Sequence, residues 1–303
     1  MPKYACYLRG SPDEGAAARA KQILDAGFDS MGLGHPLHAL HWVEVRPLLP
    51  REGISSVDLF LPYPRSHPAG EPCPFHLDSF HPEERRDAVK YGMSTILFAD
   101  QNAIPFILVS PFRLEGTLRK DLDELPRNKR FQEGLFKLHA LRQIEARLRL
   151  DSYRSVLSKL LDVADRYSTK LAIVPGGFID EAPDFLETQA CLKEFTGGPL
   201  CAWVDTLSYS VARELGPMDH VVDALKEHLV GATLRDFSAR KKPVLLGEGE
   251  ADWQSLRELL LPIPHWLADP PEFSAASVHA SLELLEKVTR EPEQPRKPGF
   301  HLR

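Results

Sequence analysis

The chain has 303 residues, of which 43% are hydrophobic and 26% are charged, the composition of an ordinary folded globular protein. Its net charge of −6 disfavours a nucleic-acid partner, and no apolar run approaches the roughly 18 residues that a membrane helix needs. The four cysteines form no C-x-x-C pair, which is typical of free thiols in a reducing compartment. We therefore expect a cytoplasmic protein.

Short apolar runs alternate about eight times with longer segments of helical period. The predicted strands are Tyr4 to Leu8, Ser30 to Leu33, Val57 to Leu61, Phe106 to Val109, Leu171 to Val174, Leu200 to Val204, Val230 to Leu234 and Trp266 to Leu267. The predicted helices are Asp13 to Ala26, Leu37 to Val45, Pro82 to Asp100, Lys129 to Arg149, Tyr153 to Tyr167, Ala182 to Phe195, Met218 to Leu229, Asp252 to Leu261 and Ser274 to Val288.

Eight strands that are each followed by a helix favour a single (β/α)8 barrel of the α/β class. Consecutive right-handed crossovers close such a barrel without leaving an exposed edge strand. We expect the barrel to cover residues 1–290 and a tail rich in proline and charge to cover residues 291–303. A doubly wound open sheet is the alternative.

The longest predicted connection, between strands four and five, contains a helix with two contrasting faces. Its apolar residues follow a helical period, opposite a surface rich in Lys and Arg, at Phe131, Leu135, Leu138, Leu141, Ile144 and Leu148. A basic helix face can bind phosphates, but it is more often simply solvated.

A loop of twenty residues, 62–81, follows the third predicted strand and contains five prolines and three histidines. Ordered loops of this length are usually functional or close over a site. We therefore predict that Arg65, His67 and His76 contact a substrate, with the two imidazoles as alternative metal ligands. Glu115, in the loop after the fourth strand, is a further candidate for substrate binding.

In a barrel of this kind, catalytic residues lie at the carboxyl ends of the strands. Asp205, Asp236 and Asp269 follow strands six, seven and eight, and they are predicted to converge around one hard divalent cation. Arg235 is placed to bind a carboxylate or phosphate through its two-pronged guanidinium.

The segment from Val230 to Trp253 combines a strand, a basic loop and a Gly-Glu-Gly-Glu turn. Glu248 in this turn is a candidate for proton transfer, because a carboxylate with a raised pKa can act as a general base at neutral pH. The alternative is a purely structural turn, whose glycines permit positive φ ahead of the next helix.

Several segments of the chain resemble those of the xylose isomerase-like barrels, and they occur in the same order along the sequence. This superfamily contains sugar and sugar-phosphate isomerases and epimerases and also endonuclease IV-type enzymes. The segments are AKQILDAGFDSMGLG, HPEERRDAVKYG with IPFILVS, LLDVADRYSTKLAIVPG, LCAWVDT and TLRDFSARKKPVLLGEGEADW. The resemblance covers most of the chain and implies the barrel fold.

The resemblance also implies a divalent metal, Mn, Mg or Zn, held by a Glu after strand five, an Asp after strand six, nearby His ligands and a carboxylate after strand eight. Asp205 matches the strand-six Asp. The other positions depart from the pattern: Val174 or Pro175 stands at the Glu, Ser208 and Thr233 stand at the His positions, and Ala268 and Asp269 stand where a Glu is expected.

Two classes of function follow from this sequence. The first is an isomerase or epimerase of a small polyhydroxylated metabolite, with Glu248 or Asp205 as the base and Arg235 with Asp236 as the orienting pair; a related enzyme would hydrolyse a phosphoester or glycosidic bond in a nucleotide-like compound. The second is a barrel without catalytic activity that binds a metabolite or a protein.

Overall fold

A computed structural model describes residues 2–9, 15–50, 52–63, 75–125, 131–216 and 219–290 of the chain. Its centre is a closed barrel of eight parallel strands, in the order β1-β2-β3-β4-β6-β8-β9-β12 and back to β1. The barrel strands are β1 (Lys3–Arg9), β2 (Ser30–Gly34), β3 (Ile54–Asp58), β4 (Phe106–Val109), β6 (Lys170–Ile173), β8 (Leu200–Asp205), β9 (Leu229–Leu234) and β12 (His265–Ala268). The predicted (β/α)8 barrel is confirmed.

Helices connect successive strands on the outside of the barrel. They are α1 (Ala16–Asp25), α2 (Ala39–Val45), α3 (Pro82–Gln101), α4 (Leu118–Glu124), α5 (Phe131–Ala164), α6 (Phe185–Glu194), α7 (Thr206–Leu215), α8 (Asp219–Leu225), α9 (Trp253–Leu260) and α10 (Ala275–Thr289). In the described part of the chain, no helix combines the length and the apolar character that crossing a membrane requires.

Two short antiparallel strand pairs fix the loops beyond the carboxyl ends of the barrel strands. The first joins β5 (Phe112–Arg113) to β7 (Glu181–Ala182), so it ties the loop after β4 to the loop after β6. The second joins β10 (Asp236–Phe237) to β11 (Pro243–Val244) within the loop after β9. These pairs hold loop side chains over the mouth of the barrel.

Several elements differ between the prediction and the structure. Strand β3 ends at Asp58 rather than Leu61, because Phe60 has a φ of +74°, a value incompatible with a strand. The two helices predicted between residues 129 and 167 form the single 34-residue helix α5. A further helix, α7, begins directly after β8, with Asp205 as its N-cap.

The apolar face predicted for α5 is only partly correct. Leu135 and Leu138 are buried, whereas Leu141, Ile144 and Leu148 are exposed on the outer side. The buried face instead includes Arg142, whose guanidinium donates to the Glu187 carboxylate at 2.8 Å. A buried arginine is tolerated here because its charge is paired and hydrogen-bonded.

Candidate functional site

A cavity of about 440 Å³ opens at the carboxyl ends of the barrel strands, and we call it the mouth cavity. Its floor consists of residues at the ends of five strands: Tyr7, Ser110, Val174, Asp205, Thr233 and Arg235. The loops held by the two antiparallel strand pairs add Arg113, Phe178, Glu181 and Lys241 to its walls, and helix α4 adds Arg119. The cavity therefore lies where (β/α)8 barrels place their active sites.

Arg235 connects two buried carboxylates at this mouth. Its Nε and Nη2 atoms lie 2.7 and 2.6 Å from Oδ2 of Asp269, and its Nη1 atom lies 3.2 Å from Oδ2 of Asp205. Arg9 also binds Asp269: its Nε donates to Oδ1 at 3.0 Å, and its Nη2 donates to Oδ2 at 2.7 Å. Two guanidinium groups thus balance two carboxylates.

The electrostatics of this network keep Asp269 and Arg235 charged. Burial by itself would raise the pKa of Asp269, but the neighbouring charges of Arg235 and Arg9 outweigh it and lower that pKa below its usual value. Burial likewise opposes the charge of Arg235, yet Asp205 and Asp269 raise the pKa of its guanidinium. Asp269 and Arg235 therefore stay ionised over the whole physiological pH range.

Local hydrogen bonds hold Asp205 and Arg235 in place. Asp205 is 3% exposed and accepts the backbone N–H of Ser208 at 3.0 Å, which caps α7. The hydroxyl of Thr206 donates to the carbonyl of Arg235 and accepts its N–H, both at 2.8 Å. The two strand ends that carry the network are thus joined through one threonine.

Glu181 is a carboxylate with 12% of its side chain exposed, and it also lines the mouth cavity. Its Oε2 atom accepts the backbone N–H groups of Gly177 at 3.1 Å and Phe178 at 3.2 Å. Burial raises the pKa of this carboxyl, despite those hydrogen bonds and the nearby charge of Arg119. A carboxylate of this kind is a candidate general base.

The loop that carries Glu181 packs closely against α7. A Cβ atom at Gly177 would overlap the backbone of Ser208, so only glycine fits at this contact. Arg119 closes the same wall by stacking over the Phe178 ring at 4.0 Å and donating to Asp180 at 2.6 and 2.9 Å. Glu181 is therefore held by its surroundings rather than free to move into solvent.

Asp236 organises the loop after β9 and does not line the mouth cavity. Its carboxylate accepts four backbone N–H groups and one indole N–H at 2.8 to 3.3 Å, from Phe237, Gly247, Gly249, Ala251 and Trp253. Two carboxylate oxygens have about four lone-pair sites. Asp236 thus has no remaining capacity for a metal or a substrate.

The other predicted site residues lie in different places. Glu248 is exposed and does not line the mouth cavity. Glu115 is also exposed, 4.0 Å from Arg149. His76 is exposed and lines a second, smaller cavity. Arg65 and His67 fall outside the described residues. Of the predicted catalytic and substrate-binding residues that the structure describes, the mouth cavity therefore brings together only Asp205 and Arg235.

The donors at the barrel mouth do not fit the divalent metal that the resemblance implies. Asp205 and Asp269 are bound by arginines, and Thr233, at an expected His position, accepts the indole N–H of Trp203 at 2.9 Å. Among the described residues, no three His, Cys, Asp or Glu side chains are grouped as a metal site requires. The guanidinium of Arg235 lies between the carboxylates of Asp205 and Asp269, in the position that a metal ion bound to both would take.

Sequence reasoning missed several residues of the mouth cavity, among them Glu181, Arg119 and Tyr7. Tyr7 donates its hydroxyl to Asp58 at 2.8 Å and is part of the cavity floor. The segment PGGFIDEAP after β6 contains the signal that points to Glu181, because paired glycines and two acidic residues follow a strand end.

Comparison with known proteins shows the fold. No family model matches the chain, and no curated protein matches its sequence. The structure is similar to that of 3-keto-D-glucoside 4-epimerase from E. coli, with 14% identity, a TM-score of 0.66, and 95% of this chain and 100% of that chain covered. It is also similar to L-ribulose 3-epimerase, with 12% identity, a TM-score of 0.66 and 95% of both chains covered. A third similar structure is the IolI protein with a bound zinc atom, with 10% identity, a TM-score of 0.64 and coverage of 95% and 98%.

Proposed function

From the fold of the xylose isomerase-like TIM barrels, which this chain has, we propose that the protein is an isomerase or epimerase of a small polyhydroxylated metabolite. The reaction moves a proton at a carbon next to a carbonyl group. Such a reaction needs a base for that proton and a cationic group for the oxygen that becomes negative. The proposal assigns both to the mouth cavity.

One observation carries this proposal: a desolvated carboxylate, Glu181, and a fixed guanidinium, Arg235, line the same cavity. Glu181 takes the proton from carbon, and Arg235 stabilises the enediolate oxygen. A guanidinium has five N–H donors, of which Arg235 uses three on Asp205 and Asp269. Two donors are therefore left for a substrate oxygen. In an isomerisation, Glu181 returns the proton to the neighbouring carbon while a proton passes between the two enediolate oxygens. In an epimerisation, a water molecule supplies a proton to the opposite face of the first carbon, and Glu181 releases its own proton to solvent.

The xylose isomerase-like resemblance implies a metal ion that supplies positive charge at the site. In this proposal, Arg235 supplies that charge instead. The charge is fixed by Asp205 and Asp269 before substrate arrives, so no reorganisation is needed during the reaction. We therefore propose Asp205 and Asp269 as positioning residues for Arg235 rather than as metal ligands. Glu248 and Asp236 have no part in the proposed proton transfer.

The proposal is tested by exchange of substrate protons with solvent. The protein is incubated in D2O with a panel of ketoses, aldoses and keto-glycosides, and proton NMR follows the signals of carbons next to the carbonyl. We expect one compound class to lose these signals with wild-type protein and to keep them with Arg235→Gln. Exchange that is equal in both proteins would contradict the assignment of Arg235.

A second candidate is a metabolite-binding barrel without catalytic activity. The mutual neutralisation of Asp205, Asp269, Arg9 and Arg235 favours it, because those carboxylates are unavailable for the metal chemistry implied by the resemblance. This candidate predicts saturable sugar binding, measured by calorimetry, with no deuterium uptake by the bound sugar. The hydrolase alternative stays a prediction.

A further inference from the structure

Helix α5 carries a group of apolar side chains on its outer face. Leu141 is 57% exposed, Ile144 is 73% exposed and Leu148 is 64% exposed. Single exposed apolar residues are common on protein surfaces, whereas apolar residues grouped in one patch mark an interaction surface. These three residues lie within two turns of one helix. The outer face of α5 is therefore a candidate interaction surface.

The spacing of the residues on this face is that of a pair of packed helices. From Lys137, the exposed positions follow at steps of four, three, four and three residues, at Leu141, Ile144, Leu148 and Asp151. Alternating steps of three and four place side chains along one line of a helix, and two helices pack side by side along such a line. We call these five residues the outer seam. Its centre is apolar, its N-terminal end is a cation and its C-terminal end is an anion.

The outer seam is complementary to a second copy of itself. When two seams meet antiparallel at Ile144, residues at equal distances on either side of Ile144 face each other. Lys137 and Asp151 each lie seven residues from Ile144, so each lysine meets the aspartate of the other copy. Leu141 and Leu148 lie three and four residues from Ile144, so each of them meets the other leucine of the second copy. Because a twofold pair uses the same patch on both copies, each of these contacts occurs twice.

The charged ends of the outer seam also determine the direction of the pair. Within one copy, Lys137 lies 2.7 Å from Glu133, and Asp151 lies 3.8 Å from Arg154. The side chains of Lys137 and Asp151 are 70% and 66% exposed, and ion pairs of exposed groups stabilise a fold only weakly. Both groups can therefore turn to another copy at little cost. A parallel pair would set lysine against lysine, so the charges favour the antiparallel pair.

The opposite face of α5 fixes this helix to the barrel. Leu135 and Leu138 are buried there. Arg142, on the same buried face, donates to the Glu181 carbonyl at 2.7 Å and to the Glu187 carboxylate at 2.8 Å. The outer seam is therefore presented by a helix that is already docked, and pairing needs little further ordering of the backbone.

We propose that the protein forms a twofold dimer in which the outer seams of two copies pack antiparallel. This pairing buries Leu141, Ile144 and Leu148, the three residues whose helical period predicts a core position but which one copy leaves exposed. The interface is one helix wide, smaller than the roughly 20–30 residues that a standard interface has on each side. We therefore expect reversible dimerisation, with a dissociation constant on the order of 10 µM.

Sedimentation of the full chain between about 1 and 300 µM tests the dimer. We expect the mass to rise with concentration from 34.1 kDa toward twice that value. Ile144→Asp places two carboxylates together at the twofold axis and should keep the protein monomeric at every concentration. Val43→Asp is the matched control, because Val43 is also β-branched and 60% exposed but lies on α2. It should dimerise like wild type.

Exchange of the two charges tests the antiparallel direction. Lys137→Glu sets like charges against each other at both ends of the seam, so it should weaken dimerisation about tenfold. Asp151→Lys should have a similar effect. The double variant, Lys137→Glu with Asp151→Lys, restores opposite charges at both ends and should dimerise within about threefold of wild type. A parallel pair predicts no such recovery.

Three results would overturn the proposed dimer. The first is a wild-type protein that stays monomeric over the whole concentration range. The second is dimerisation that survives Ile144→Asp, or that Val43→Asp abolishes equally. The third is a double charge variant that dimerises no better than the single variants. The five residues of the outer seam do not line the mouth cavity, so the dimer and the proposed function can fail independently.

Discussion

The guanidinium of Arg235 contacts one oxygen of Asp269 through two nitrogen atoms, Nε at 2.7 Å and Nη2 at 2.6 Å. The same guanidinium reaches Asp205 with its third nitrogen. The carboxylates after β8 and β12 are thereby held together by an organic cation. This arrangement explains how the barrel mouth can be stable with so few of the imidazole and Glu ligands that the resemblance implies.

Asp269→Asn should destabilise the protein by about 2–3 kcal/mol. Removing one partner of a buried ion pair typically costs about 3–5 kcal/mol, and the value is lower here because Arg9 and Arg235 are each about one-third exposed. Urea unfolding at pH 7 measures the change, with the exposed Glu283→Gln as control. If Asp269→Asn lowers the free energy of unfolding no more than Glu283→Gln does, the ion pairs of Asp269 do not stabilise the fold.

The pH dependence of this effect has a definite sign. Because the folded protein lowers the pKa of Asp269, its contribution to the free energy of unfolding is present above the ordinary Asp pKa and is lost as pH falls through the lowered value. The difference between wild type and Asp269→Asn should therefore shrink in acid. A difference that grows as pH falls would contradict this explanation.

Asp236→Ala should destabilise the protein by at least about 3 kcal/mol, because five N–H donors lose a buried charged acceptor. Asp252, in the same loop, caps α9 through Ser255 and provides the matched control. Asp252→Ala should cost only about 1 kcal/mol, the usual effect of losing an N-cap. Chemical unfolding compares the two; equal losses would show that Asp236 does not organise the loop.

The barrel was predictable from the sequence because each buried strand is a short apolar run followed by a helical period. The strand ends were less predictable: β3 stops early because Phe60 takes a left-handed conformation. The catalytic candidates were even harder to predict from the sequence than the strand ends. Asp205, Asp236 and Asp269 all follow strands, but only hydrogen bonds distinguish a loop organiser such as Asp236 from a group at the cavity. Glu181 lies eight residues beyond β6, and the strand pairing with β5 that positions it leaves no pattern in the sequence.

Proton exchange should increase with pH through a midpoint above about 4.3, the ordinary pKa of Glu. The base must be deprotonated to accept a proton, and burial raises the pKa of Glu181. The midpoint is read from the pH profile of kcat/KM, which reports groups of the free enzyme. A midpoint at or below the ordinary value would contradict Glu181 as the base.

Tyr153→Phe should leave the ligand-free protein as stable as wild type or raise its stability by up to about 2 kcal/mol, because it removes a buried hydroxyl without a partner. Tyr7 is the matched control, since its buried hydroxyl donates to Asp58 at 2.8 Å. Tyr7→Phe should destabilise the protein by about 1–3 kcal/mol, because the buried Asp58 carboxylate loses a donor. Thermal unfolding of both variants without ligand measures the contrast. Equal destabilisation would show that Tyr153 has a partner.

The most direct test of the proposed chemistry compares solvent-deuterium uptake by the substrate in two variants, Glu181→Gln and Glu248→Gln. Both changes remove one carboxylate, but Glu181 lines the mouth cavity and Glu248 is exposed outside it. We predict that Glu181→Gln lowers the exchange rate at least about 100-fold, the usual contribution of a general base, and that Glu248→Gln exchanges like wild type. Unchanged exchange in Glu181→Gln, or its loss in Glu248→Gln, would contradict the assignment of Glu181 as the base.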